Sequence, residues 1–183
     1  MYLVGQNQNK ELIDKGQLDR SNFIIIKGPK HHGKTYLAKY IANHYKLDYV
    51  AIDDKVATIR ELVESSNQNN NCLYHLKDFE KSSPAAKAAL LKITEETPKG
   101  VKIVVTTTSS QILETLTSRA YNMNIQPYSM NEIQEYNNSL MLDQSVVDIL
   151  VNELNIYITP TNLHQFKQRT DIKEIFDLII LTI

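Results

Sequence analysis

The sequence carries the stretch Gly28-Pro29-Lys30-His31-His32-Gly33-Lys34-Thr35, which has the pattern G-x-x-x-x-G-K-[ST] and directly follows the apolar run Phe23-Ile24-Ile25-Ile26. Glycines in such a loop let the backbone curl until consecutive N–H groups face a polyphosphate, and the helix that follows offers its positive amino terminus. Residues 36–42 have helical spacing, with Leu37 and Ile41 on one side. The stretch therefore predicts a strand, a phosphate-binding loop and a helix, in that order.

The residue types of this loop predict that it binds ATP together with Mg²⁺. Lys34 would reach the β- and γ-phosphates, and the Thr35 hydroxyl would bind the metal. The candidate binding residues are those of the whole loop: Gly28, Pro29, Lys30, His31, His32, Gly33, Lys34 and Thr35. His31 and His32 are at variable positions of the pattern, where side chains more often face solvent. A degenerate loop that keeps its glycines only for the turn is the alternative interpretation.

Length and composition exclude several classes of protein. The 183 residues are enough for a phosphate-binding domain and a small appendage, and the net charge of −1 gives no general attraction for nucleic acid or an anionic membrane. The single cysteine, Cys72, excludes an internal disulfide and any zinc site of several cysteines, which suits a reducing cytosol. No long apolar run and no basic leader occur. We therefore expect a cytoplasmic protein without membrane association.

Alternating secondary structure predicts an α/β fold with a parallel five-stranded sheet flanked by helices. The strands are expected at 23–27, 49–52, 72–76, 101–107 and 121–125, and the helices at 10–15, 34–45, 56–64 and 85–95. His75, within a strand, is expected to be a core or interface histidine with its hydrogen bonds satisfied. From residue 128 the pattern is helical only, at 130–136, 144–154, 161–169 and 172–181, and Ser129 with Glu132 forms a capping-box pattern. Two domains are predicted, over 1–127 and 128–183.

Three later segments carry a more specific pattern. They are Ala88-Ala89-Leu90-Leu91-Lys92-Ile93-Thr94-Glu95-Glu96-Thr97-Pro98, Ile103-Val104-Val105-Thr106-Thr107-Thr108 and Leu116-Thr117-Ser118-Arg119-Ala120. With the opening Leu3-Val4-Gly5-Gln6-Asn7, they resemble the clamp-loader branch of the AAA+ ATPases, especially the bacterial DNA polymerase III delta-prime and gamma/tau subunits. The three segments are similar to that family's N-A-L-L-K-x-L-E-E-P-P helix, its sensor-1 strand and its S-R-C motif.

The resemblance implies a function and a set of partners. It implies an AAA+ domain followed by a helical lid domain, in a subunit that couples ATP binding and hydrolysis at subunit interfaces to the loading of a sliding clamp on primed DNA. The partners implied are other clamp-loader subunits in a hetero-oligomer, the sliding clamp and primer–template DNA. The family's third, collar-forming domain is not in the sequence, which would fit an amino-terminal fragment or a short phage or mobile-element version.

The resemblance also implies catalytic roles. Thr107 is the best sensor-1 match, and Arg119 would act on the ATP of the neighbouring subunit, with Ala120 in place of the motif's cysteine. Counting back from Ala88 puts Asp78 at the catalytic glutamate, where it would also serve as a metal ligand beside Thr35. The same count puts Lys77 at the Mg²⁺-binding aspartate, and like unit charges about 4 Å apart repel by about 4 kcal/mol at an effective dielectric constant of about 20. Either Asp78 alone handles metal and water, or hydrolysis is slow.

Two other functions remain open at this point. Lys77 favours a non-hydrolysing interaction subunit that donates Arg119 to a neighbour's ATP. The segment Asp48-Tyr49-Val50-Ala51-Ile52-Asp53-Asp54 can be read as an apolar strand that ends in an acidic pair. That interpretation would suit a free-standing phosphate-loop kinase with Asp53 near Mg²⁺.

Overall fold

A computed structural model of the chain describes residues 5–52, 71–95, 97–109 and 112–140. Within them, five strands form one parallel sheet: β1 (Phe23–Lys27), β2 (Asp48–Ile52), β3 (Cys72–Leu76), β4 (Lys102–Thr107) and β5 (Tyr121–Asn124). The spatial order is β2-β3-β4-β1-β5, so β4 and β5 lie on either side of β1. The predicted parallel five-stranded sheet is confirmed, and the strand bounds agree with the prediction to within one residue.

Five α-helices accompany the sheet in the described residues: α1 (Asn7–Asp14), α2 (Lys34–His44), α3 (Pro84–Glu95), α4 (Glu114–Thr117) and α5 (Met130–Leu140). A short 3-10 turn, Phe79–Lys81, follows β3. The helices predicted at 56–64, 144–154, 161–169 and 172–181 lie outside the described residues. None of the described helices is long and apolar enough to cross a lipid bilayer.

Burial of the inner strands of the sheet explains why their sequences are continuous apolar runs. Every residue of β3 and β4 is buried, and so are residues 23–26 of β1. Helices cover a parallel sheet on both faces, so its inner strands lack the alternation of apolar and polar residues that a half-exposed strand shows. At the edge, β2 exposes Val50 and Ala51.

The chain divides into two compact units, Met1–Lys30 with Lys34–Gln126, and His31–Gly33 with Pro127–Ile183. In the first unit the core lies on both faces of the sheet, because successive side chains of a strand point to opposite faces. Ile25 packs on one face with Leu90 of α3, and Ile24 packs on the other with Leu37 of α2. The predicted division at residues 127 and 128 stays a prediction, since most of the second domain lies outside the described residues.

Helix α1 begins at Asn7, three residues before the predicted start. The reason is a buried polar contact, since the Asn9 amide donates to the Gln6 Oε1 and to the Asn124 carbonyl, both at 2.9 Å. Gln6 in turn donates from Nε2 to the Gln126 carbonyl at 2.8 Å and accepts from the Gln126 N–H at 3.1 Å. Such contacts leave no apolar periodicity in the sequence, so the pattern could not predict this first turn.

Candidate nucleotide-binding site

The loop after β1 begins next to the carboxyl end of β4. The Gly28 N–H donates to the Thr107 carbonyl at 3.1 Å. A Cβ at residue 28 would lie 2.6 Å from the Ile125 Cβ, which is closer than two carbon atoms can approach. His31 and Gly33 have positive φ angles of 62° and 86°. Left-handed residues of this kind turn successive backbone N–H groups toward one side, which is how a loop forms an anion-binding concavity.

Lys34 opens α2 and directs its ammonium back at the loop that precedes it. The residue is buried, and its Nζ donates to the carbonyls of Gly28 at 2.8 Å and of Pro29 at 2.6 Å. Burial lowers the pKa of Lys34, while the negative charges of Glu80 and then Asp78 act in the opposite direction. A phosphate oxygen could replace these neutral carbonyls as acceptor, because its negative charge adds a Coulombic attraction to the ammonium that a carbonyl lacks.

The three threonines at the end of β4 have different partners. Thr106, next to β3, bonds through Oγ1 to the His75 Nε2 at 3.0 Å. Thr107 is fully buried, and its Oγ1 accepts from the Ser109 N–H at 3.0 Å. Thr108 is exposed and donates from Oγ1 to the Glu80 Oε1 at 2.7 Å. Of the three, Thr107 contacts the phosphate loop directly, through the bond of its carbonyl with the Gly28 N–H.

Lys77 and Asp78 are the first two residues after β3, and both are exposed to solvent. Asp78 has a left-handed backbone with φ of 49°, and its carboxylate forms an ion pair with the Lys81 Nζ at 3.1 Å, where both side chains are more than half exposed. The acid assigned by counting from Ala88 therefore has the exposed Lys81 as its ion-pair partner.

Glu80 is a further acid whose negative charge acts on Lys34, and the sequence pattern did not indicate it. Its carboxylate accepts from the Thr108 hydroxyl and, at 3.3 Å, from the Thr108 N–H. Burial disfavours the charged form, but hydrogen bonds from Thr108, from its own backbone and from Thr107 outweigh burial and hold the pKa of Glu80 below its ordinary value. The signal in the sequence was the pair of acids on either side of Phe79, which is buried and so sets the orientation of the turn.

The described residues contain no group of three or more histidine, cysteine, aspartate or glutamate side chains arranged around a common point for a metal. Mg²⁺ in nucleotide sites commonly uses one or two carboxylates together with phosphate oxygens and water, so it needs no such cage. Thr35, in the first turn of α2, is partly exposed. The residues present fit a metal that enters with a nucleotide. Asp53, which the kinase interpretation requires, lies outside the described residues.

Arg119 lies near the amino-terminal ends of β1 and β5, whereas the phosphate loop follows the carboxyl end of β1. It lines an open groove of about 480 Å³ with Arg20, Phe23 and Tyr121, the last two being the first residues of β1 and β5. The five residues of β1 separate this groove from Gly28, which corresponds to about 15 Å. The guanidinium donates to the Glu95 Oε1 at 3.0 Å and to the Thr115 carbonyl at 2.7 Å. In this position Arg119 cannot reach its own phosphate loop.

The second compact unit contains His32 and α5. His32 is buried and stacks on Tyr128 with 5.8 Å between the ring centroids, so the expectation that its side chain faces solvent is wrong. His31 is exposed, as expected. The predicted capping box is present, since Ser129 Oγ accepts from the Glu132 N–H at 3.2 Å and the Glu132 carboxylate accepts from the Ser129 N–H at 2.8 Å.

Comparison with known proteins agrees with the fold. The model of a family described as DNA polymerase III, delta subunit, matches residues 46–129, a little under half of the chain. A DNA polymerase III gamma subunit-related protein from Thermotoga maritima superposes with a TM-score of 0.67 at 17% identity, over 88% of this chain and 58% of that protein. The chain therefore shares the fold of this gamma subunit-related protein. The resemblance predicted from the sequence is thereby confirmed.

Two further structures share the fold. A structure that describes katanin self-assembly gives a TM-score of 0.69 at 12% identity, covering 88% of this chain and 66% of that one. A RuvB variant from Thermotoga maritima gives 0.62 at 16% identity, covering 92% and 58%. The chain spans less than two thirds of the length of each of these three structures. No curated protein matches the sequence at a significant level.

Proposed function

We propose that this chain is an ATP-binding subunit of a cytoplasmic clamp-loader assembly, in which nucleotide at subunit interfaces governs the loading of a sliding clamp on primed DNA. The observation that carries the proposal is the buried Lys34, held against the Gly28 and Pro29 carbonyls at the mouth of a phosphate loop. A buried ammonium is costly unless a functional or structural partner compensates it. The AAA+ fold and the match to a DNA polymerase III subunit family support the same assignment.

The chain's own residues supply binding and orientation in this function. Lys34 would exchange its two carbonyl acceptors for β- and γ-phosphate oxygens, and the loop Gly28–Thr35 would present its backbone N–H groups to the same phosphates. Thr35 and a carboxylate would hold the Mg²⁺ that enters with the nucleotide, and this ion would neutralise charge on the phosphate oxygens. Thr107 would orient groups at the γ-phosphate from the end of β4.

Arg119 would serve the nucleotide of a neighbouring subunit. Its position near the amino-terminal ends of β1 and β5, away from the phosphate loop, supports action between subunits, since an arginine there faces outward into an open groove. Its bond to Glu95 is exposed and therefore weak, so a partner's phosphate could replace it. Other loader subunits, the clamp and primer–template DNA would be the partners of such a hetero-oligomer.

A second candidate function is a subunit that binds nucleotide without hydrolysing it. The observation that favours it is Asp78, whose carboxylate pairs with Lys81 on the exposed side of the turn rather than with a loop residue. Such a subunit would be a fixed part of the ring and would contribute Arg119 to its neighbour. The two functions differ in turnover, because only the first predicts ADP release from the chain's own site.

Calorimetric titration of the purified chain with ATP and ADP, with Mg²⁺ and with EDTA, tests nucleotide binding. Lys34→Ala should weaken ATP binding at least tenfold, because it removes the charge inside the loop. Lys30→Ala is the matched control, since Lys30 is an exposed lysine of the same loop and should leave affinity within about threefold. Equal affinities of the wild type and the Lys34 variant would contradict the proposal.

A further inference from the structure

Phe79 separates two acids that follow β3 and gives them different surroundings. Its ring is buried in the core against α3 and β4, which fixes the orientation of the 3-10 turn. Asp78, before Phe79, is exposed and bonded to Lys81. Glu80, after it, is half-buried and bonded to Thr108. The turn therefore directs one carboxylate to solvent and the other to the end of β4.

Two consecutive residues at the end of β4, Thr107 and Thr108, connect Glu80 to the phosphate loop. The Gly28 N–H donates to the Thr107 carbonyl, and the next residue, Thr108, donates to Glu80 through both its N–H and its hydroxyl. Thr108, which holds the carboxylate, is therefore next in the chain to Thr107, which bonds the first residue of the loop. Of the two acids that act electrostatically on Lys34, Glu80 has the larger effect and Asp78 the smaller.

These hydrogen bonds also prepare Glu80 to bind a cation. The Thr108 N–H contacts Oε2 at 3.3 Å and the Thr108 hydroxyl contacts Oε1 at 2.7 Å, so both carboxylate oxygens are oriented by one residue. Each oxygen has further lone pairs for a metal or a metal-bound water. Asp78 would have to leave Lys81 and change a left-handed turn to take the same place.

We propose that Glu80, rather than Asp78, is the carboxylate that holds the Mg²⁺ of a bound Mg²⁺–nucleotide in this chain, directly or through water. The inference rests on the proposed function, because it assumes that the loop binds ATP. Packing, rather than counting along the sequence, indicates this residue. Glu80 lies three positions after Lys77, which is where the family pattern has its metal-binding aspartate.

The test is the ratio of the ATP dissociation constant in EDTA to that in Mg²⁺, measured by calorimetry on the full chain. Glu80→Gln should reduce this ratio at least fivefold relative to the wild type. Asp78→Asn is the matched control, and should leave the ratio within twofold. The opposite ranking, or a wild-type ratio close to one, would overturn the inference while leaving nucleotide binding intact.

A second variant tests the same contact without changing the carboxylate. ATP binding by the wild type distinguishes failure of this inference from failure of the proposed function. Thr108→Val removes the hydroxyl from an exposed position and should reduce the ratio about two- to threefold, while a thermal melt without nucleotide stays within a few degrees of the wild type. An unchanged ratio in Thr108→Val would count against oriented binding by Glu80. Absence of ATP binding by the wild type would overturn the proposed function itself, and this inference with it.

Discussion

Acidification should destabilise this fold through His75, which is fully buried in the middle of the sheet. Its Nδ1 lies 2.6 Å from the Tyr49 hydroxyl on β2, and its Nε2 lies 3.0 Å from the Thr106 Oγ1 on β4. Burial, followed by the positive charges of Lys77 and Lys39, lowers the pKa of His75 from 6.5 to about 3. The folded protein therefore keeps this imidazole neutral at pH values where the unfolded chain protonates it.

The sign and size of the effect follow from linkage. Because the folded pKa is depressed, the stabilisation is complete above about pH 6.5 and is lost as the pH falls toward 3. The slope in that window is about 1.4 kcal/mol per pH unit. Between pH 8 and pH 5 the free energy of unfolding should fall by about 2 kcal/mol from this residue, which is a large fraction of the roughly 5–15 kcal/mol typical of a domain.

Urea denaturation at pH 8, 6.5 and 5 measures this loss, in a window where carboxylate titration contributes least. His75→Gln removes the titrating group, and its free energy of unfolding should change by less than about 1 kcal/mol over the same range. His44→Gln, at an exposed histidine beside Asp14, is the matched control and should follow the wild type. Parallel curves for the wild type and His75→Gln, or a His75 pKa near 6.5 by NMR titration, would refute the reasoning.

Three further changes have defined outcomes. Gly28→Ala should weaken ATP binding at least tenfold, because the new methyl group would meet the Ile125 side chain at 2.6 Å and shift the start of the loop; retained affinity in calorimetry would contradict this. Lys102→Met should lower the free energy of unfolding by about 1–3 kcal/mol, because the buried ammonium donates to two carbonyls at 2.8 Å. The exposed Lys15→Met is its control in urea melts and should cost less than about 1 kcal/mol. Arg119→Ala should leave ATP binding by the isolated chain within twofold and lower ATPase activity only in an assembly; weaker binding by the isolated chain would count against a role between subunits.

Strong local signals let the sequence predict the phosphate loop and the strands. The apolar run at 23–26 precedes two glycines and a lysine at fixed spacing, and a strand followed by a curled loop is a property of a few consecutive residues. The capping box of Ser129 and Glu132 is equally local and is present as predicted. Each of these features depends on residues within about eight positions along the chain.

The sequence also predicted a satisfied histidine at position 75, but not its partners. Tyr49 and Thr106 come from the strands on either side of β3, 26 and 31 residues away. Only the strand order brings β2 and β4 to opposite sides of His75. The pairing of strands is a long-range contact, and no local pattern carries it.

The tertiary structure decided the surroundings of the two acids beside Phe79. Counting along the chain selected Asp78, whereas the burial of Phe79 directs Asp78 to solvent and Glu80 to Thr108. The same holds for Arg119, whose separation from the phosphate loop follows from the direction of β1 and β5 through the sheet. The sequence by itself determined the loop, because the geometry of the loop is local. Packing determined the surroundings of the two acids and the position of Arg119, because the direction of a side chain depends on which of its neighbours are buried in the core.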